Sequence, residues 1–127
     1  MKTLDILIMD DEIKICEMLK QVLSNMGHRV YITTSGEDAL YMMGLRKFDI
    51  AFLDIQMTDI GGDQILMDLK NLDNPAKVII YSALSDERMI AYFSNLGADA
   101  YLTKPCKIDQ IEKTIENLIN PITATKK

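Results

Sequence analysis

This 127-residue chain has no tryptophan, a single histidine, two cysteines and three prolines. Two cysteines are too few for the disulfide framework of a small secreted domain, so Cys16 and Cys106 are expected as free thiols. No apolar run approaches the roughly 20 residues of a membrane span. The opening Met1-Lys2-Thr3-Leu4-Asp5 lacks the apolar stretch of a secretory leader. Positive charge is also short: 14 Lys and Arg face 19 Asp and Glu, for a net charge of −5. The basic stripe that duplex binding requires is missing. Together these absences argue against a membrane span and against direct nucleic-acid binding by this segment. They leave open a DNA-binding domain in a longer parent chain. The expectation is a cytoplasmic protein, with enough chain for one domain that folds on its own apolar core.

What is present is an alternation. Short apolar runs bounded by turn signals read as buried parallel strands, and five occur: Leu4–Met9, Arg29–Thr33, Phe48–Leu53, Lys77–Tyr81 and Ala100–Thr103. Helical periodicity fills the intervals. Ile15, Cys16, Leu19, Val22, Leu23 and Met26 mark a helix over 13–26, with Gly27 at the position that favours a left-handed residue. Thr34 and Glu37 have capping-box spacing for a helix to about Leu45. Residues 63–72 place Ile65, Leu66 and Leu69 inward, and Ser85 is positioned to cap a helix that runs to Leu96 and closes at Gly97. Ile108, Ile111, Ile115, Leu118 and Ile119 mark a last helix, stopped by Asn120-Pro121. Five strand–helix alternations predict an α/β domain over 3–120 with a parallel sheet and right-handed crossovers. Residues 121–127 read as a polar tail or the start of a linker. His28, between the first helix and the second strand, reads as a surface turn residue, and Cys16 as a small core residue.

The strand ends carry the chemistry. The first strand runs into Asp10 and Asp11, the third into Asp54, the fourth into Ser82, the fifth into Lys104-Pro105. Taken singly, each is an ordinary turn residue. In an open α/β sheet, however, ligands bind beyond the carboxyl ends of the strands. If the strands are neighbours, three carboxylates, a hydroxyl and an ammonium converge. Clustered carboxylates call for a cation, and Mg²⁺ uses one or two carboxylates with water and phosphate oxygens. A carboxylate such as Asp54 can also attack phosphorus to give an acyl phosphate. Lys104 and Ser82 would then serve the remaining phosphoryl oxygens. Pro105 stiffens the loop and leaves both isomers of the Lys104–Pro105 bond open.

With these residues in order, the chain resembles the receiver domain of two-component response regulators. The matching segments are Ile6-Leu7-Ile8-Met9-Asp10-Asp11-Glu12, Asp54-Ile55-Gln56-Met57, Ser82-Ala83 and Tyr101-Leu102-Thr103-Lys104-Pro105. The resemblance implies a flavodoxin-like, doubly wound five-stranded parallel sheet of order 2-1-3-4-5 with five helices. It implies that Asp54 accepts phosphate from the phosphohistidine of a sensor histidine kinase or histidine phosphotransfer protein. It implies Asp11, Asp54 and the Gln56 backbone carbonyl as Mg²⁺ ligands, with Asp10 acting through water. Lys104 matches the phosphate partner, Ser82 the switch hydroxyl and Tyr101 the switch aromatic. Gln56 and Leu84 match the positions flanking the approach of hydrolytic water. An apolar Leu84 cannot orient water, so autodephosphorylation is expected to be slow. The output would pass to an effector domain or protein, or to a homodimer, through the face of helix four, strand five and helix five. The chain departs from the family where Thr58 replaces a common proline and Cys106 a common phenylalanine. The resemblance describes a phosphorylated switch rather than a turnover enzyme.

Three rival readings fit these residues less well. A haloacid dehalogenase-type phosphatase needs a second aspartate two residues after the nucleophile, where this chain has Gln56. An FMN-binding flavodoxin needs a Ser/Thr/Gly-rich phosphate loop after the first strand, where Asp10-Asp11-Glu12 would repel phosphate. A degenerate receiver acting purely as a protein–protein module would not need a complete acidic site.

Overall fold

The computed structural model describes residues 2–72 and 74–120; the tail expected over 121–127 lies outside the described residues. The elements alternate as β1 (Asp5–Met9), α1 (Ile13–Asn25), β2 (Arg29–Thr33), α2 (Gly36–Leu45), β3 (Ile50–Leu53), α3 (Gly62–Asn71), β4 (Lys77–Ser82), α4 (Glu87–Leu96), β5 (Ala100–Thr103) and α5 (Ile108–Ile119). The strands form one parallel sheet in the order β2-β1-β3-β4-β5. This is the expected doubly wound α/β architecture, with five helices among the described residues.

The central strands are buried on both faces, and alternate residues feed two cores. Leu7, Met9, Ala51, Leu53, Val78 and Ile80 point to the side of Ala39, Met43, Ile65, Leu66, Leu69 and Phe93, which come from α2, α3 and α4. Ile6, Ile8, Ile50, Phe52 and Ile79 point to the other side, where α1 brings Cys16, Leu19 and Leu23 and α5 brings Ile111 and Ile115. Each large side chain taken fully out of water here contributes roughly 1.5–3 kcal/mol. Unbroken apolar runs are what burial on both faces demands, which is why β1, β3 and β4 have no polar alternation.

Register sets where the strand ends fall. Met9 pairs with Leu53, so Asp10 and Asp54 leave the sheet side by side. The Asp54 amide donates to the Met9 carbonyl at 2.9 Å and the Asp10 amide to the Thr33 carbonyl at 3.1 Å. Ser82 pairs with Thr103, and the Lys104 amide donates to the Ser82 carbonyl at 2.8 Å. Strand order reverses between β1 and β3, the switch point at which sheets of this order, flavodoxin and CheY being the standard instances, bind their ligands. At the opposite end of the strands, Lys2 and Leu4 border one cavity with Ile119 and Asn120 at the end of α5.

Local signals were offset where two competent residues adjoin. Ser35, not Thr34, caps α2: its hydroxyl oxygen accepts from the Asp38 amide at 3.3 Å. Asp86, not Ser85, caps α4, accepting from the Met89 amide at 2.9 Å, a stronger charged cap at the positive end of the helix. β3 begins at Ile50 rather than Phe48, because the Phe48 amide is diverted to the Asn74 side chain. Gly27 and Gly97 take the expected positive φ, +97° and +115°.

His28 corrects the expectation of a surface turn residue. It is 6% exposed, and its Nδ1 accepts the Leu4 amide at 3.1 Å. A lone imidazole in a turn is buried here because the edge of β1 needs an acceptor at that point. Burial lowers its pKa, against a smaller opposing pull from Asp49. The unfolded chain therefore takes up a proton near pH 6.5 before the native state does. This contribution is complete above that pH and is lost as pH falls through the lower native value. Urea titrations at pH 7.5 and 5.5 should show wild type losing more stability on acidification than His28→Asn, which keeps an acceptor but does not titrate. The difference is bounded by about 1.4 kcal/mol per pH unit for one proton.

Candidate functional site

The site lies where β1, β3, β4 and β5 end. Asp10 and Asp54 are buried, at 2% and 3% exposure, Asp11 is half-buried and Ser82 is fully buried. One carboxylate oxygen from each of Asp10, Asp11 and Asp54 lies within 4.8 Å of the others, close enough to share one cation. Oxygen donors of this charge suit a hard divalent ion such as Mg²⁺.

Lys104 crosses the sheet to reach this cluster. Its Nζ lies 2.5 Å from Asp10 Oδ2 and 3.1 Å from Asp54 Oδ2, with its side chain 13% exposed. The Tyr81 ring is 5.5 Å away on another side of the ammonium. The Lys104–Pro105 peptide is cis. Each buried acid also takes a backbone amide two residues on: Glu12 N–H donates to Asp10 Oδ1 at 2.9 Å and Gln56 N–H to Asp54 Oδ1 at 3.0 Å. Both are Asx turns, and they orient the carboxylates before any ligand arrives.

The electrostatics follow from burial. Desolvation pushes the Asp10 carboxyl above its ordinary value; the Lys104 hydrogen bond, the Glu12 amide and the Asp54 charge adjust that shift. Burial also works against the Lys104 ammonium, but its bonds to Asp10 and Asp54 outweigh it and hold its pKa above the ordinary value. The pocket thus holds more negative charge than one lysine balances, the condition under which a second cation is favourable.

Sequence reasoning brought Asp10, Asp11, Asp54 and Lys104 to one place, and the structure does the same. Ser82 and Tyr101 stand at its edge, joined through one residue. The Leu84 amide donates to Ser82 Oγ at 3.1 Å, and the half-buried Tyr101 hydroxyl donates to the Leu84 carbonyl. The Gln56 side chain is exposed, and what ties this residue to the site is its backbone. Sequence reasoning missed Tyr81 beside Lys104 and the backing of Asp10 by Cys16, whose thiol donates to the Asp10 carbonyl at 3.3 Å. Burial holds that thiol at about 11, so it stays protonated. No sequence signal marks either contact: Cys16 reads simply as part of the apolar stripe of α1, and Tyr81 meets Lys104 only because β4 and β5 are neighbours in the sheet.

Comparison with known proteins agrees with this geometry. The family model described as the response regulator receiver domain matches residues 6–116. Sporulation initiation phosphotransferase F of Bacillus subtilis (strain 168) is 30% identical over 114 residues, covering 90% of this chain and 92% of that protein. Transcriptional regulatory protein ZraR of Salmonella typhimurium is 30% identical over 116 residues, 91% of this chain and 26% of that protein. The chain therefore spans about a quarter of the length of that regulator. The crystal structure of a response regulator receiver domain protein (CheY-like) from Methanospirillum hungatei superposes with a TM-score of 0.86 at 29% identity, covering 96% of this chain and 98% of that one. Among the described residues, no helix is long and apolar enough to cross a membrane. With a family model matched over most of its length and a relative aligned almost end to end, this chain belongs to the response regulator receiver domain family.

Proposed function

We propose that Asp54 is the phosphoacceptor, and that it takes its phosphoryl group in a Mg²⁺-dependent transfer from a phosphohistidine on a sensor histidine kinase or a histidine phosphotransfer protein. The single observation that carries this reading is Lys104 bonded at once to Asp10 and Asp54 beside carboxylates spaced for one cation. In the transfer an Asp54 oxygen bonds to phosphorus while the donor's P–N bond breaks and its electron pair stays on the imidazole. Asp11, Asp54 and the Gln56 carbonyl would hold the cation, with Asp10 acting through water. Mg²⁺, when bound, screens the carboxylates from the incoming phosphoryl oxygens. Lys104, which bonds Asp54, would pair with one of those oxygens, and Ser82 would donate to another.

The output step follows from the shared contact at Leu84. A Ser82 hydroxyl drawn toward the phosphoryl group releases the Leu84 amide, while Tyr101 holds the carbonyl of the same residue. The β4–α4 loop then repacks, and with it the face of α4, β5 and α5 that an effector domain, an effector protein or a second copy would read. A coupling of about 1–3 kcal/mol suffices for such a switch.

Autodephosphorylation is slow in this reading. The Leu84 side chain, 43% exposed, has no group with which to orient water. In Leu84→Glu the phosphorylated form should decay at least several-fold faster, followed by loss of the phosphoprotein band after the donor is removed; an unchanged decay would sink this assignment. The function itself is tested by intact mass after incubation with a small acyl phosphate donor. A gain of one phosphoryl group that needs Mg²⁺ supports it, and no gain in a folded protein overturns it.

A further inference from the structure

The loop from Asp54 to α3 is held by a contact that the phosphotransfer reading does not use. Asp59, five residues after Asp54, seats its carboxylate on the amino end of α2. Its Oδ1 accepts the Gly36 amide at 3.1 Å and its Oδ2 accepts the Glu37 amide at 3.2 Å and the Ser35 hydroxyl at 3.0 Å. The Ile60 amide adds a bond to Oδ1 at 3.0 Å, which fixes the rotation of the carboxylate. The first amides of a helix have no partner within it and carry partial positive charge, so an acid bound there is held by both effects. The Glu37 and Gly36 amides above all pull the Asp59 carboxyl down to about 2, and it therefore stays ionised throughout the neutral range.

Gly36 provides the seat. A Cβ at this position would lie 3.2 Å from Asp59 Oδ1 and 3.4 Å from Ile60 Cβ, tight against the loop, and 2.6 Å from Ile65 Cδ1 of α3, so a side chain here would press on the seat and on its neighbour. At its far end, the loop is fixed by Gly62, where a Cβ would come within 2.6 Å of the Ile55 backbone. Gln56 lies between Ile55, against which Gly62 packs, and Asp59. The segment has Thr58 and no proline, so its backbone is not stiffened from within.

We propose that Asp59 is a positioning residue for the cation site: by latching the β3–α3 loop to the amino end of α2, it holds the Gln56 carbonyl where a Mg²⁺ ion needs it. This rests on the reading of Gln56 as a cation ligand. If the loop samples positions in which that carbonyl is turned away, the apparent affinity falls by the fraction of time the site is formed. The latch raises that fraction. Because Asp59 touches neither the cation nor the phosphoryl group, its loss should be felt in cation binding and leave the chemistry at saturation intact.

The experiment is calorimetric titration of Mg²⁺ into wild type, Asp59→Ala, Asp59→Asn and Gly36→Ala, with phosphorylation rates over a range of Mg²⁺ concentrations. Loss of supporting contacts around metal ligands costs about 10–100-fold in affinity, and Asp59→Ala is expected near the lower end, about tenfold weaker. Its maximal phosphorylation rate at saturating Mg²⁺ should match wild type. Asp59→Asn, which keeps the Oδ1 acceptor, should fall between the two. Gly36→Ala, which leaves Asp59 in place but crowds its seat, should shift affinity in the same direction. A purely structural role would lower the melting temperature of Asp59→Ala and leave its Mg²⁺ affinity at the wild-type value, and that result overturns the proposal. Wild type that binds no Mg²⁺ overturns the phosphotransfer reading as well, so the two failures are distinguishable.

Discussion

An Asp54→Ala variant should gain no mass from a small acyl phosphate donor under conditions in which wild type gains one phosphoryl group. Total loss is expected because the other acids are placed for different work. Asp10 is committed to Lys104 at 2.5 Å and to the Glu12 amide, and Asp11 sits toward the rim, half-buried. Asp54 is as buried as Asp10 and is likewise held by an amide on one oxygen and faced by Lys104 on the other, but its lysine contact is the longer of the two, 3.1 Å against 2.5 Å, which leaves that oxygen the less committed. The substitution removes one cation ligand, so a trivial loss of Mg²⁺ has to be separated from loss of the acceptor. Asp54→Asn does this: its amide oxygen still ligates but is a far weaker nucleophile toward phosphorus. Uptake by either variant would mean that another carboxylate is the acceptor.

The second large effect is on stability. Lys104→Met removes the ammonium that bridges two buried carboxylates, while a side chain of similar length keeps the packing. Breaking a buried pair by removing one partner leaves uncompensated charge and costs about 3–5 kcal/mol; the lower end applies here, because the pocket opens to water beside Asp11. The sign of the pH dependence provides a control. In wild type the raised pKa of Lys104 keeps its contribution whole across the neutral range, and it fades only as pH rises past the ordinary lysine value. Asp10 has a raised native pKa, so its ionisation already weakens the fold at neutral pH and the penalty shrinks as pH falls. Without Lys104 that penalty deepens. Since His28 acts equally in both proteins, Lys104→Met should lose less stability than wild type on acidification from pH 7.5 to 5.5. Saturating Mg²⁺ should restore part of the loss, since a ligand at about 100 times its Kd adds about 2.7 kcal/mol. Equal stabilities of wild type and variant at pH 7.5 without Mg²⁺ would show that the bridge is not what balances the cluster.

The fold could be read from the chain because its central strands are buried on both faces. Ile6 to Met9, Ile50 to Leu53 and Val78 to Tyr81 have no polar interruption, and helix-period segments stand between them. The acids were legible for a related reason: in a parallel sheet all strand ends of one kind face one way, so Asp10, Asp54, Ser82 and Lys104 had to meet. Contacts made side chain to backbone across long stretches of chain left no such trace. His28 serves an amide 24 residues away, and Asp59 serves amides 22 and 23 residues away. Nothing near either residue in the sequence names those partners. The two helix starts were displaced by one residue for a different reason: Thr34 and Ser35, like Ser85 and Asp86, are adjacent residues that can both cap. Backbone geometry decides between them, and composition does not record it.

Lys2 and Asn120 line the same cavity, at the end of the sheet opposite the acids. A chip surface or a fluorescent reporter attached beside either residue would therefore stand behind the molecule, with the pocket facing solution. Docking of a donor could be timed on an immobilised sample without the attachment shading the contact, and joining those two neighbouring positions with a short bridge would allow the chain to be reopened elsewhere as a circular permutant.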